Sequence, residues 1–159
     1  MRKLYAAILI GGLAVLIDFL FHYVVLEPYQ MVGGVTIDFL ESPAYFAVKF
    51  LVFSLAAYIF LAAKWMVRLW GPIIYGAVAS ASFGAFYYFY PQVSVGTGSM
   101  PVGLKGLWGL LHAGCGTVAA GAYERNWFAV IIGLLELATA ALLLVLFGPQ
   151  IAAVTVPGY

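Results

Sequence analysis

The run VLIDFLFHYVV, residues 15–25, holds an aspartate and a histidine among apolar and aromatic residues. Asp18 and His22 stand four apart, which puts both on one face of an α-helix. Upstream the run continues through LYAAILIGGLA (4–14), so the stretch 4–26 is almost free of charge. A helix that crosses a bilayer needs about 20 predominantly apolar residues, and this stretch meets that length. Its charged head, Met1–Lys3, mimics a secretory signal peptide. The apolar run is too long for one, however, and no small-x-small cleavage site closes it. It is expected to be a first membrane span that stays with the chain.

Composition extends the reading to the whole molecule. Only 8% of the 159 residues are charged, against about 25% in soluble domains, and mean hydropathy is +1.07. Such a chain cannot cover a water-facing surface, so its main partner is expected to be the lipid bilayer. A net charge of +1 gives no basic field for nucleic acid. Cys115 is the sole cysteine, which excludes an intrachain disulfide, and no Cys/His spacing suits zinc.

Four further segments have spanning length: 43–66, 72–90, 104–123 and 127–147. Ser42 and Pro43 make a good cap and first residue for the second. Gly71-Pro72 and Pro91 bound the third, and Gly148-Pro149 closes the fifth. The predicted fold is all-α: one domain, a bundle of five transmembrane helices in the cell membrane. Arg2, Lys3, Lys64, Arg68 and Arg125 fall on one side of that bundle. The other side holds EPYQMVGGVTIDFLES (27–42) and QVSVGTGSMPVG (92–103), followed by Lys105. Basic loops stay cytoplasmic, so the N-terminus is predicted inside and the C-terminus outside. The tail of the first loop, VTIDFLE, is amphipathic and suits the outer surface, and the second loop, rich in Gly and Ser, reads as mobile. Trp65, Trp70 and Trp127 are expected at the inner interface. Tyr29, Tyr87, Tyr88, Tyr90 and Trp108 are expected at the outer one, in keeping with the aromatic run FGAFYYFYP (83–91).

Small residues let membrane helices approach closely. They form stripes here: Gly11, Ala14, Asp18, His22; then Gly76, Ser80, Gly84; then Gly109, His112, Gly116, Ala120; then Gly133, Glu136, Ala140. The polar groups lie on the small-residue stripes and are expected to face the bundle. At helical rise Asp18 and His112 lie about 12 Å in from the outer end, Lys49 about 9 Å and His22 about 6 Å. Asp18, His22, Lys49 and His112 therefore share the outer half, with Asp18 and Lys49 as the natural ion pair. Glu136 is deeper, has no base at its level and is expected to hydrogen-bond Ser80 or Ser82. Cys115 is expected to be a packing residue.

These five residues, Asp18, His22, Lys49, His112 and Glu136, are the candidate site for binding or moving a small or lipid-like ligand. Two other uses of the same residues stay open. His22 and His112 could hold a b-type haem, or a metal together with Asp18, in a redox subunit. The bundle could also be a structural accessory subunit that packs against membrane partners or copies of itself. No nucleotide loop, nucleophile elbow, HExxH or lipid-phosphotransferase motif points to an enzyme. SPAYF (42–46), KWMVR (64–68) and PIIY (72–75) are similar to parts of the second and third spans of the small sterol-isomerase membrane family. The acids which that family carries on those helices have no counterpart here, so the resemblance implies no site.

Overall fold

The computed structural model describes residues 1–26, 31–32, 35–36, 43–89 and 102–152. Five α-helices make the fold: α1 (Arg2–Leu20), α2 (Pro43–Ala62), α3 (Gly71–Phe89), α4 (Val102–Tyr123) and α5 (Trp127–Ala152). A π-helical turn, Phe21–Leu26, extends α1. Met31–Val32 and Val35–Thr36 form a short antiparallel pair in the following loop, β1 and β2. The loop at 92–103 and the tail after Ala152 lie outside the described residues, apart from the first residues of α4.

Among the described residues, three helices have stretches long and apolar enough to cross a membrane: Arg2–Leu20, Ala44–Ala62 and Trp127–Phe147. A shorter apolar stretch, Gly71–Phe86, lies in α3. Helix α4 carries Lys105 and His112 among its glycines. It packs against α1, α3 and α5, while α1 and α3 both pack against α2. A helix enclosed by others needs less hydrophobicity than one facing lipid, which accounts for the composition of α4.

The bundle is arranged by size as well as polarity. Large aliphatic side chains such as Leu55, Ile59, Leu134, Leu135, Leu142 and Leu146 point outward and are exposed. Small residues such as Ala7, Ala14, Ala57 and Ala79, a group of aromatics (Tyr45, Phe53, Tyr75 and Phe83) and the polar Asp18, Lys49 and His112 are buried inside, as expected where close backbone contact holds helices together. At Gly11 a Cβ would strike Ser54 Oγ and come within 2.9 Å of the Ser54 nitrogen, so only glycine allows α1 this close to α2. Gly76 does the same between α3 and α4, where a Cβ would strike Thr117 Oγ1 and lie 2.6 Å from the Ala113 carbonyl oxygen.

The helix ends differ from the sequence expectation in two places. The second span was expected to reach residue 66, but α2 stops at Ala62. Lys64 takes a left-handed φ of 58°, and Trp65 N–H closes back on the Phe60 carbonyl at 3.0 Å. That is a Schellman ending, with lysine at the position glycine usually holds. The α4 helix ends the same way, with Arg125 at φ 55° and Asn126 N–H on the Gly121 carbonyl at 2.8 Å. The fifth span was expected to close at Gly148-Pro149, yet α5 runs through both to Ala152. Proline costs a helix one donor and crowds the preceding turn, but it does not always end it.

Two contacts tie the α2–α3 and α4–α5 connections together. Asn126 caps α5 by accepting the Ala129 N–H at 3.1 Å and donates its amide to the Leu69 carbonyl at 2.8 Å. Trp70 and Phe128 meet edge to face with centroids 5.2 Å apart. Trp65, Trp70 and Trp127 are exposed at this end. Trp108 departs from its expected role as an outer interface anchor, for it stacks inside the bundle on Tyr45.

Candidate functional site

Asp18 lies on the same face of α1 as Gly11 and Ala14, and all three are buried. Lys49 comes from α2, one turn after Tyr45, so the two side chains share a face. His112 comes from the middle of α4. The close approach that Gly11 allows brings α1 and α2 together, and α4 also packs against α1. The result is a closed ring of polar side chains. Lys49 Nζ lies 2.8 Å from Asp18 Oδ2 and 2.9 Å from His112 Nδ1. Tyr45 Oη lies 3.1 Å from His112 Nε2 and donates its proton to Asp18 Oδ2 at 3.2 Å. His112 Nδ1 is also 3.4 Å from Asp18 Oδ1.

No member of the ring reaches solvent: Asp18 and Lys49 are 0% exposed, Tyr45 1% and His112 2%. Its walls are aromatic. Trp108 lies parallel to Tyr45, with centroids 5.8 Å apart and planes 5° from coplanar. Phe83 of α3 meets the His112 ring edge to face at 5.1 Å and Tyr45 at 5.4 Å. The Lys49 ammonium sits 5.3 Å from the centre of the Phe53 ring. Aromatic pairs of this kind add about 0.5–1.5 kcal/mol each beyond simple burial, and a desolvated cation over a ring adds about 2 kcal/mol. The ring is thus hydrogen-bonded and buried behind aromatic side chains.

Of the five candidate residues, Asp18, Lys49 and His112 come together, and the ion pair expected from their matching depths is formed. His22 falls in the π-helical turn, and its side chain lies outside the described residues. Glu136 is half-buried on α5 beside Thr117 and is not in the ring. The Ser80 hydroxyl expected as its partner donates instead to the Gly109 carbonyl at 2.7 Å, and Ser82 is exposed. Cys115 is a fully buried packing residue in the cluster of Leu111 and Leu137.

Tyr45 is the member that the sequence reading passed over. Its signal was its position one turn before Lys49, but a tyrosine near the start of a span reads first as an interface anchor. For metal or haem, His112 is unsuited in this arrangement, since both ring nitrogens already serve Lys49 and Tyr45. Among the described residues, no group of three or more His, Cys, Asp and Glu side chains could hold a metal ion. Comparison with protein-family models, curated proteins and solved structures finds no match, so the sterol-isomerase resemblance gains no support and the site stands on its geometry.

Proposed function

We propose that this chain is a five-span protein of the cell membrane, N-terminus inside, which binds or moves a small polar or lipid-like ligand at the Asp18–Tyr45–Lys49–His112 ring. The orientation rests on the basic residues at one end of the bundle. Lys64 and Arg125 hold left-handed cap positions where glycine is favoured. A base in that conformation costs about 1–2 kcal/mol of backbone energy, so its charge there has a use, and retention on the cytoplasmic side supplies one.

The observation that carries the functional reading is the ring itself. Charged residues in the membrane are expensive and are commonly functional. A buried ion pair stabilises a fold no better than well-packed apolar side chains of similar volume. Four polar side chains from α1, α2 and α4 meeting at one point therefore exceed what helix packing requires. Their polar groups can be exchanged one for one with those of a ligand when the helices part.

The test is to release the wild type and His112→Ala from membranes under identical conditions and compare the bound small molecules by native mass spectrometry. The wild type is expected to carry a small molecule that the variant loses while staying folded. If the variant loses thermal stability and expression, and the wild type carries nothing, the ring is a packing device.

A further inference from the structure

The α2–α3 connection, residues 63–70, and the α4–α5 connection, residues 124–126, are fastened to the bundle and to each other. Met66 is fully buried, in the core cluster that holds Phe60 and Tyr75. Gly71 lets the start of α3 lie against the Trp65 carbonyl, which a Cβ would strike. The Asn126 amide on the Leu69 carbonyl, at 2.8 Å, and the Trp70–Phe128 contact join the first connection to the second and to the start of α5. Between these fixed points the large apolar side chains stay exposed: Trp65 at 47%, Leu69 and Trp70 at 56%, Trp127 at 70% and Val67 at 72%. An anchored backbone thus holds a ledge of aromatic and aliphatic groups outside the bundle.

The same ledge carries bases. The two connections hold Lys64, Arg68 and Arg125 against one acid, Glu124. The three bases are exposed and Glu124 is half-buried. The Arg68 guanidinium carbon lies 5.9 Å from the centre of the Trp65 ring, and that ring meets Phe60 edge to face at 5.7 Å. The contact holds the cation at the level of the tryptophan and leaves N–H donors for an anion. Arg68 directly precedes Leu69 and Arg125 directly precedes Asn126, so the two arginines flank the hydrogen bond that joins the connections. Among the described residues no salt bridge engages either of them.

Tryptophan settles at the boundary between hydrocarbon and headgroups. The ledge continues directly from Ala44–Ala62 and into Trp127–Phe147, both of spanning length. At that boundary the anions within reach are lipid phosphates, which arginine binds through paired N–H donors. We propose that the ledge is a binding site for an anionic phospholipid, with Arg68 and Arg125 on its phosphodiester and Trp65, Val67 and Leu69 against the start of its acyl chains. A zwitterionic lipid offers the same phosphate but brings its own cation beside it, so the bases favour a lipid of net negative charge. The site is separate from the Asp18–Tyr45–Lys49–His112 ring. It rests on the membrane character of the bundle and holds for either orientation.

The experiment is native mass spectrometry of the purified full-length protein in mild detergent, titrated with phosphatidylglycerol or phosphatidylcholine. The first phosphatidylglycerol is expected to bind about tenfold more tightly than the first phosphatidylcholine. Arg68→Gln and Arg125→Gln should each weaken phosphatidylglycerol binding about fivefold and leave phosphatidylcholine binding nearly unchanged. Both side chains are exposed, so each variant is expected to fold, and either one decides the question if the other does not. Lys105→Gln removes an exposed base at the opposite end of α4 from Arg125, with the same effect on net charge, and should change nothing. Equal affinity of the wild type for the two lipids overturns the proposal, as does wild-type binding in the arginine variants. A loss in Lys105→Gln as large as in Arg68→Gln would mark attraction to net charge without a site, and overturns it too. Displacement of the lipid by soluble glycerol phosphate at equal concentration would assign the arginines to free phosphate and overturn the lipid assignment.

Discussion

At the scale of single residues, the arrangement is decided by groups that can only donate or only accept. Lys49 donates to Asp18 and His112, Asp18 accepts from Lys49 and Tyr45, and Tyr45 and His112 share a hydrogen bond. Tyr45→Phe removes one donor and one acceptor without changing the ring shape. His112 Nε2 and Asp18 each lose their bond to the phenol, so unfolding free energy should fall by about 1–3 kcal/mol. Chemical unfolding in mild detergent reads this directly, and an unchanged midpoint would show that Tyr45 is outside the network. Asp18 and Lys49 were legible in the sequence because a charge in an apolar run must find a partner, and helical rise put the two at one depth. His112 was legible for the same reason. Tyr45 was not, since a phenol is at home both at a membrane interface and in a polar network, and composition does not separate the two.

At the scale of elements, the helices were legible from apolar length, while their ends were set by local backbone chemistry. The α2 stop at Ala62 depends on Lys64 adopting a left-handed conformation, which no lysine side chain announces. The π-turn after Leu20 is equally silent in sequence. Arg125→Gly removes a Cβ from the left-handed cap of α4 and should stabilise the protein by about 1 kcal/mol. A raised melting temperature checks it, and a lowered one would show that the arginine side chain outweighs the backbone term. Next to this cap, burial pushes the Glu124 carboxyl above its ordinary value of 4.5. The folded state then holds that proton more tightly than the unfolded chain does. Glu124 therefore costs nothing below 4.5, and its cost grows as pH rises from there through the raised folded value. Glu124→Gln should melt higher than the wild type at neutral pH, with the gap closing as the pH falls through the raised folded value and gone below about 4.5. A gap that persists in acid would show that the effect is not ionisation.

At the scale of the whole molecule, the all-helical bundle and its membrane character follow from the scarcity of charge and from three helices of spanning length. The enclosed position of α4 could not be read, because it depends on which helices surround it rather than on its own residues. The proposed orientation is open to thiol labelling in sealed vesicles. A cysteine placed at Ser94 should react from outside, while one at Val67, which is 72% exposed in the α2–α3 connection, should be protected until the membrane is permeabilised. Cys115 is fully buried and gives no background. Labelling of Val67→Cys from outside would reverse the topology.

The claim that joins these scales is that the ring serves a ligand and is more than a clamp between helices. Removing one partner of the Asp18–Lys49 pair strands a buried charge, at a cost of about 3–5 kcal/mol. Removing both charges leaves none stranded. The most direct measurement is native mass spectrometry of the double variant Asp18→Asn with Lys49→Met, taken from its membrane beside the wild type and the single variant Asp18→Asn. The account predicts a double variant that is folded, more stable than Asp18→Asn alone, and empty of the small molecule the wild type carries. A double variant that is folded and retains that molecule at the wild-type level would contradict it.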